Sequence, residues 1–351
     1  MNIFKLLLAR LLSLRAATAV RTDNTAVYLK DMYRVAFDVR EEKEPKYPLI
    51  FDVRDGEEVF GAGVKETQLL GADELDLETV EGQDINFVSP VAGWTYYGVY
   101  LTYKKGVKFS FQSIEDDVKL GTLLKSYAAT WSDRDIVARE TLASTCFNNG
   151  GALAGNAVFN GSWLSNVQSS GNFLYDSKPF FNLIGNARAL KTQTTGTYYN
   201  GIATGGITAS NFELLYNLIT ATNNVDEQQI IRSNPVDTVI TRTGADAFNM
   251  QRILNTSRGL PGGELNDLNP YLGLIDMHIA WDYYTDAAGG VGSFCIGKRD
   301  EPGVQFHVRQ EPIFDYFVDP KNKNYCASVH VRFGVYFKDF KRWGKCGGLF
   351  S

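Results

Sequence analysis

The chain has little of what most catalytic centres are built from. Its 351 residues include three histidines and four cysteines. Cys146, Cys295, Cys326 and Cys346 are scattered, and no two have the spacing of a zinc knuckle or a redox pair. They read as reduced or buried thiols, and a single disulfide among them would be a local staple in a chain of this length. His278, His307 and His330 each fall in a strand-like run, and no second histidine completes a metal motif with Asp282, Glu311 or Cys326, each four residues from one of them. They read as core or sheet-face residues. No Gly-x-Ser-x-Gly elbow, His-Glu-x-x-His pair or Cys-His nucleophile signature is present. Gly292-Ser-Phe-Cys-Ile-Gly297-Lys298 matches the spacing of a phosphate loop, but Arg299 stands where Ser or Thr should hold magnesium. Phe294, Cys295 and Ile296 also form an apolar strand, where a phosphate loop needs free backbone amides. The expectation is a chain that is not an enzyme and holds no cofactor or metal.

Basic charge and long apolar runs are scarce too. With 35 Lys and Arg against 40 Asp and Glu, the net charge is −5. That excludes a nucleic-acid binder acting through its whole surface, though not a local basic patch. Asn2 to Ala19 has the look of a leader, but Arg10 and Arg15 interrupt its apolar run. What is left is too short to span a bilayer, and no membrane partner is expected. On a helix, Ile3, Leu7, Leu11 and Leu14 fall on one side with Lys5 opposite, an imperfectly amphipathic arm. A frayed terminus or a peripheral membrane helix is the alternative.

What is present is 44% apolar residues, 13% aromatics and 33 glycines, which predicts a mixed α+β chain with a sizeable core. Val20 to Pro48 is charged and proline-punctuated, an extended arm. Asp52 to Asp84 carries about eleven acidic residues against Arg54 and Lys65, with five glycines as turn formers. It lacks the ligand periodicity of a calcium loop and reads as a solvated element. Ile85 to Phe111 turns aromatic and alternating, which predicts strands broken at Gly98 and Gly106. An acidic excursion flanked by strands implies a long two-stranded loop.

Helical spacing begins near Ser113 and runs to Asn148, with Ser132-Asp-Arg-Asp135 read as a second helix start and hence a kink. Gly150 to Ala209, rich in Gly, Asn, Ser and Thr, reads as contact surface. A helix over Ser210 to Ala221, a strand over Val236 to Thr241 and a helix over Ala245 to Asn255 mark an α/β subdomain. Strands follow at Leu274 to Trp281, Ser293 to Gly297, Val304 to Arg309 and Ser328 to Phe337, the last alternating cleanly between apolar and polar residues.

This order of parts resembles the Hong Kong 97-type major capsid protein of tailed bacteriophages. Val107-Lys-Phe-Ser-Phe-Gln-Ser-Ile-Glu-Asp-Asp117 is similar to the helix entry of Mu-like head subunits. Leu174-Tyr-Asp-Ser-Lys-Pro179 with Gly185-Asn186 resembles their Leu-Phe-x-x-x-His-Pro segment, with Lys178 in place of the His. Val331 to Gly344 resembles their closing strand and basic-aromatic turn. The resemblance implies an α+β Hong Kong 97-type capsid fold: an N-terminal arm over 1–50, an extended loop over 51–93, a peripheral domain with a long spine helix over 94–205, an axial domain over 206–299 and peripheral-domain strands over 300–351. It implies a major head protein that self-assembles into hexamers and pentamers of an icosahedral shell around double-stranded DNA. Such a protein is assembled in the host cytoplasm and resides in the virion.

The implied partners are further copies of the chain, cement, portal and scaffold proteins, and non-specific contact with packaged DNA. An encapsulin-like shell protein and a tail or decoration protein are the alternatives. In that family the extended loop overlies a neighbouring subunit. The acidic residues Asp73, Glu74, Asp76, Glu78, Glu81 and Asp84 then call for a basic docking surface, for which Arg134, Arg139, Lys341, Arg342 and Lys345 are the candidates.

Overall fold

The computed structural model describes residues 44–55, 63–69, 92–110, 120–148, 150, 179–190, 193–222, 225, 231, 234–257, 268–285, 292–299, 303–322 and 324–348. The expected arm up to residue 43, the acidic run 70–91 and the helix entry 111–119 lie outside the described residues. The chain divides into two compact units. One comprises Met1–Glu44, Thr102–Ile136 and Glu311–Val331, and the other Pro45–Leu101, Val137–Gln310 and Arg332–Ser351. The stretch 300–351 therefore divides between both units.

The larger unit is built on a five-stranded sheet in the order β5-β11-β8-β6-β7, with β5 at Gly201–Ile202, β6 at Thr238–Arg242, β7 at Met277–Trp281, β8 at Phe294–Gly297 and β11 at Trp343–Cys346. Strands β6 and β7 are parallel. Helix α3 (Ala245–Asn255) lies between them in sequence, as a parallel crossover requires. The helix opens at Gly244, whose φ of 95° only glycine adopts at little cost. Helix α2 (Ala209–Asn217) is capped by Thr208, whose hydroxyl accepts from the Asn211 amide, and it continues as a π-turn over Leu218–Thr222. Phe212, Leu215 and Ile219 from this helical stretch meet Met250 and Ile253 of α3 and Phe294, Ile296 and Cys346 of the sheet in one apolar core. A Cβ at Gly344 would come within 3.0 Å of Leu215 and Ile219, so glycine is what lets the helix seat this closely on β11.

The same unit holds a hairpin, β2 (Gly63–Leu69) antiparallel to β3 (Ala92–Val99), in register from Gly63 opposite Val99 to Leu69 opposite Ala92. It also holds β1 (Asp52–Asp55), parallel to β9 (Val304–Val318). A second sheet runs β1-β9-β10-β4, with β4 at Leu101–Phe109 and β10 at Tyr325–Phe337. Strands β9 and β10 are each longer than expected and run through both units.

Helix α1 runs unbroken from Leu120 to Asn148, about 43 Å of axis at 1.5 Å per residue. The helix start expected at Ser132 does not form. Ser132 and Asp135 are buried inside the continuous helix beside Trp131 and Ile136, so packing overrides the local capping signal. At its far end Phe147 sits among Phe51, Phe181, Trp281 and Trp343, with ring centroids 5.1 to 6.2 Å away. Glu140, about two turns earlier, accepts from the Lys46 and Tyr47 amides and from the Trp281 indole. One buried carboxylate thus ties residues 46 and 47 to the helix and to β7.

Two further expectations need correction. Neither Gly98 nor Gly106 breaks its strand. Gly98 lies inside β3, paired with Val64. Gly106 lies inside β4, where a Cβ would meet the Ala327 carbonyl oxygen at 3.4 Å, and the break falls at Tyr100. The described part of Gly150 to Ala209 is part surface and part core, with Ile184, Gly185, Thr194 and Thr195 exposed. Phe180, Phe181, Asn182, Arg188, Tyr198 and Asn200 are all buried. The Asn200 amide donates to the carbonyls of Phe180, Phe340 and Trp343 at 2.9 to 3.1 Å, and its oxygen accepts from the Asn182 amide at 3.0 Å. Side-chain amides replace the ladder that irregular backbone cannot make, which permits its burial.

In the smaller unit Phe109 of β4 meets Tyr127 of α1 edge to face at 6.1 Å. Lys108 pairs with Asp319 at 3.1 Å, and His330 lies 3.5 Å from Asp315.

Candidate functional site

The six acidic candidates, Asp73, Glu74, Asp76, Glu78, Glu81 and Asp84, lie outside the described residues. Of the five basic candidates, Arg134 is exposed on α1. The other four are buried, which corrects the expectation of a basic docking surface built from them. The Arg139 guanidinium lies 5.5 Å from the centre of the Phe333 ring. Lys341 stands over Phe340 at 5.3 Å. Arg342 donates to the Asn234 side-chain oxygen Oδ1 at 3.2 Å and lies 3.7 Å from Asp339. Lys345 donates to the carbonyls of Phe147 and Asn148 at 2.8 and 2.9 Å. Each cation is held inside by aromatic faces or oxygen acceptors, and none of the four is free to meet a second chain.

A different charged constellation lies in the larger unit. In β9, Val304, Phe306 and Val308 are buried, and Gln305, His307 and Arg309 alternate with them on the opposite side of the sheet. The register sets Asp52 of β1 opposite Gln305 and Arg54 opposite His307. Asp52 accepts from Arg54 at 2.9 Å and from the Gln305 amide at 3.0 Å. That fixes the orientation of the Gln305 amide, whose oxygen faces His307 Nε2 at 3.1 Å. His307 therefore carries its proton on Nε2, and Nδ1 accepts from the Tyr100 hydroxyl at 3.2 Å. A relay of five side chains crosses three segments of the chain.

Tyr100 is the end of the relay. Its ring stacks on His307 at 6.1 Å. Burial pushes its phenol above the ordinary tyrosine range, and the charges of Arg309 and Arg332 pull it back in part. The Arg332 guanidinium lies 6.0 Å from the Tyr100 ring centre. The Nε hydrogens of Arg309 and Arg332 are shielded from water and find no acceptor among the described residues. Sequence reasoning passed over this pair, although the alternation of Gln305, His307 and Arg309 with three apolar residues was there to be read.

Burial holds three of the four thiols in their protonated form. Burial raises Cys146 well above the ordinary range, and raises Cys295 to about 11 and Cys346 to about 12, so all three are protonated near neutrality. His278 bonds the Thr241 hydroxyl at 2.8 Å and is pushed down by burial. The phosphate-loop look-alike is β8 itself, and a Cβ at Gly297 would collide with Trp343. Among the described residues no His, Cys, Asp and Glu cluster is arranged to hold a metal ion, and no helix is long and apolar enough to cross a membrane.

No protein-family model matches the chain, and no curated protein matches it in sequence. Solved structures with a similar course of chain include the capsid of a native GTA particle, at 12% identity and a TM-score of 0.49 over 88% of this chain and 90% of that one. A chain of Mycobacterium phage Patience gives 11% identity and a TM-score of 0.49 over 95% and 89%. The virus-like particle of Pyrococcus furiosus gives 11% identity and a TM-score of 0.47 over 90% and 98%.

Proposed function

We propose that the chain is the major capsid protein of a tailed bacteriophage, assembling into hexamers and pentamers of an icosahedral shell around double-stranded DNA. One observation carries the reading: the antiparallel pair β2 and β3 flanks the acidic run 70–91 and precedes the 29-residue helix α1. A dense run of like charge between two paired strands suits a loop that meets a complementary surface on another chain. A long helix braced by an aromatic knot at one end suits a spine better than the wall of a pocket.

In this reading residues 1–50 are the arm, 51–93 the extended loop, 94–205 and 300–351 the peripheral domain, and 206–299 the axial domain, with β5 and β11 joining the axial sheet. The Mu-like subgroup rests on the motifs at Val107 to Asp117, Leu174 to Pro179 and Val331 to Gly344. Assembly works by arm exchange and loop overlap, in which weak contacts multiplied over many copies give a stable container. Packaged DNA meets Lys5, Arg10 and Arg15 non-specifically, and portal, scaffold and cement proteins complete the virion, which is assembled in the host cytoplasm.

Negative-stain electron microscopy with light scattering on concentrated protein tests the proposal. Closed particles, or rings of five and six, are expected, with co-purifying DNA separating a phage head from a shell that encloses protein cargo. A species that stays monomeric, even in a lysate that supplies scaffold, overturns it.

A further inference from the structure

We propose that Asn200-Gly201 is a modification site that times folding: the Asn200 side-chain amide is lost as ammonia while the chain is unfolded, and a chain that has lost it no longer folds. The inference concerns the single chain and stands apart from the shell reading. Asn-Gly pairs occur at Asn149, Asn160 and Asn200. Glycine has no Cβ to hinder the approach of its own nitrogen to the side chain before it, so an unstructured Asn-Gly is especially prone to this reaction. The Gly201 nitrogen attacks Cγ of Asn200, the Cγ–Nδ2 bond breaks, and ammonia leaves with the proton of the Gly201 amide. The cyclic imide takes up one water at either carbonyl and opens to aspartate or to an isoaspartate linkage. Solvent water is the sole co-reactant.

Every group in that step is restrained once the chain has folded. The Gly201 amide, the nucleophile, donates to the Asn182 carbonyl at 2.9 Å. Asn200 Nδ2 donates to the carbonyls of Phe180, Phe340 and Trp343 at 2.9 to 3.1 Å, and Oδ1 accepts from the Asn182 amide at 3.0 Å, so Cγ is held from both sides. Asn200 is fully buried, which keeps water from the carbonyl. Much of this protection comes from far along the chain. The Phe340 and Trp343 carbonyls lie 140 and 143 residues away, and the Lys345 amide donates to the Asn200 carbonyl at 3.0 Å. The site is therefore locked only when β11 has docked.

Neither product fits the place that Asn200 occupies. Aspartate sets an oxygen without hydrogens among three carbonyl oxygens, and even the neutral acid brings one hydrogen where three acceptors wait. A buried carboxylate facing only acceptors is among the costliest states a core can hold. Isoaspartate adds a carbon to the main chain ahead of Gly201, which displaces it from its partner Lys345 on β11. The reaction is thus blocked by the same contacts that its products would prevent from forming. A chain that lingers unfolded leaves the pool that can fold.

The test is peptide mapping by mass spectrometry on the full chain, aged at pH 8.5 either native or unfolded in urea. Conversion at Asn200 is expected to be at least roughly a hundredfold slower in the native chain, where it proceeds only through a rarely opened state. The urea-aged chain is then returned to buffer and its folded molecules are separated. These should carry intact Asn200, with the converted residue confined to the fraction that did not refold. Ageing in urea at pH 5, where imide formation is slow, should leave both Asn200 and the refolding yield unchanged. Folded molecules that carry aspartate or isoaspartate at 200 in the proportion present before refolding overturn the timer. So does native conversion at the urea rate, or an Asn200→Asp chain recovered with the wild-type melting temperature. These last two measurements need no refolding, so they decide the matter even if the urea-unfolded chain aggregates.

Discussion

Replacing Lys345 with methionine isolates what a buried cation contributes to this fold. Lys345 has no solvent exposure, and its ammonium donates to the carbonyls of Phe147 and Asn148, the last two residues of α1. Those oxygens belong to the set that a helix end leaves without intrahelical partners, at the negative end of its dipole. The rings of Phe181 and Tyr284 each lie 5.9 Å from the ammonium. Methionine has similar length, fits between the same rings and donates nothing.

Two hydrogen bonds to a charged donor are worth about 1.5–3 kcal/mol each. Relief of the buried ammonium returns part of that, because desolvating an ion costs several kcal/mol. The balance is a loss of about 2–4 kcal/mol, the lower part of the range for breaking a buried charged contact. At about 2–4 °C per kcal/mol this lowers the melting temperature by roughly 4–16 °C. Calorimetry on the unassembled subunit measures it, with hydrogen exchange at residues 144–148 reporting whether the helix end frays. A Lys345→Met protein that melts within about 1 °C of wild type, with unchanged exchange there, would refute the reasoning.

Two other perturbations have definite expectations. Glu140→Gln keeps one acceptor oxygen for three donors, the Lys46 and Tyr47 amides and the Trp281 indole. A loss of about 1–3 kcal/mol is expected, with proteolysis between residues 44 and 51 accelerating before the rest of the chain is cut. Cys295 and Cys346 are raised from the ordinary 9.0 to about 11 and about 12. Their stabilisation is fully present below pH 9, where both states hold the proton, and is lost as pH rises from 9 towards 11, where only the unfolded thiols ionise. Urea unfolding at pH 8 and pH 10 should show stability falling with pH, less steeply in Cys295→Ala, and an unchanged slope in that variant would count against the assignment.

Local patterns carried the regular elements into view. The α3 helix follows from the spacing of Ala247, Met250, Ile253 and Leu254, and its bounds are those read from sequence. Strand β10 follows from the alternation around Val331, Phe333 and Val335. The rest depends on partners distant in sequence. Nothing near Asn200 announces that its amide will satisfy carbonyls 140 and 143 residues away. Lys341, Arg342 and Lys345 read as surface because lysine and arginine are rarely buried; only the aromatic rings and the helix end that fold over them reverse that expectation. The Arg309 and Arg332 pair is divided between two strands, so no single window of sequence contains it.

Strand β11 sits between β5 and β8, and β5 has no other neighbour in its sheet. Gly201 and Ile202 therefore wait for Lys345 and Cys346 before they pair at all, and the apolar core that includes Cys346 stays open on that side until then. For a chain made on the ribosome this orders events in time. Helices α2 and α3 emerge early, yet the sheet they cover cannot close until residue 346 is free, because pairings this distant in sequence form late. The pairing of β5 is thus tied to the last of the sheet's five strands in chain order.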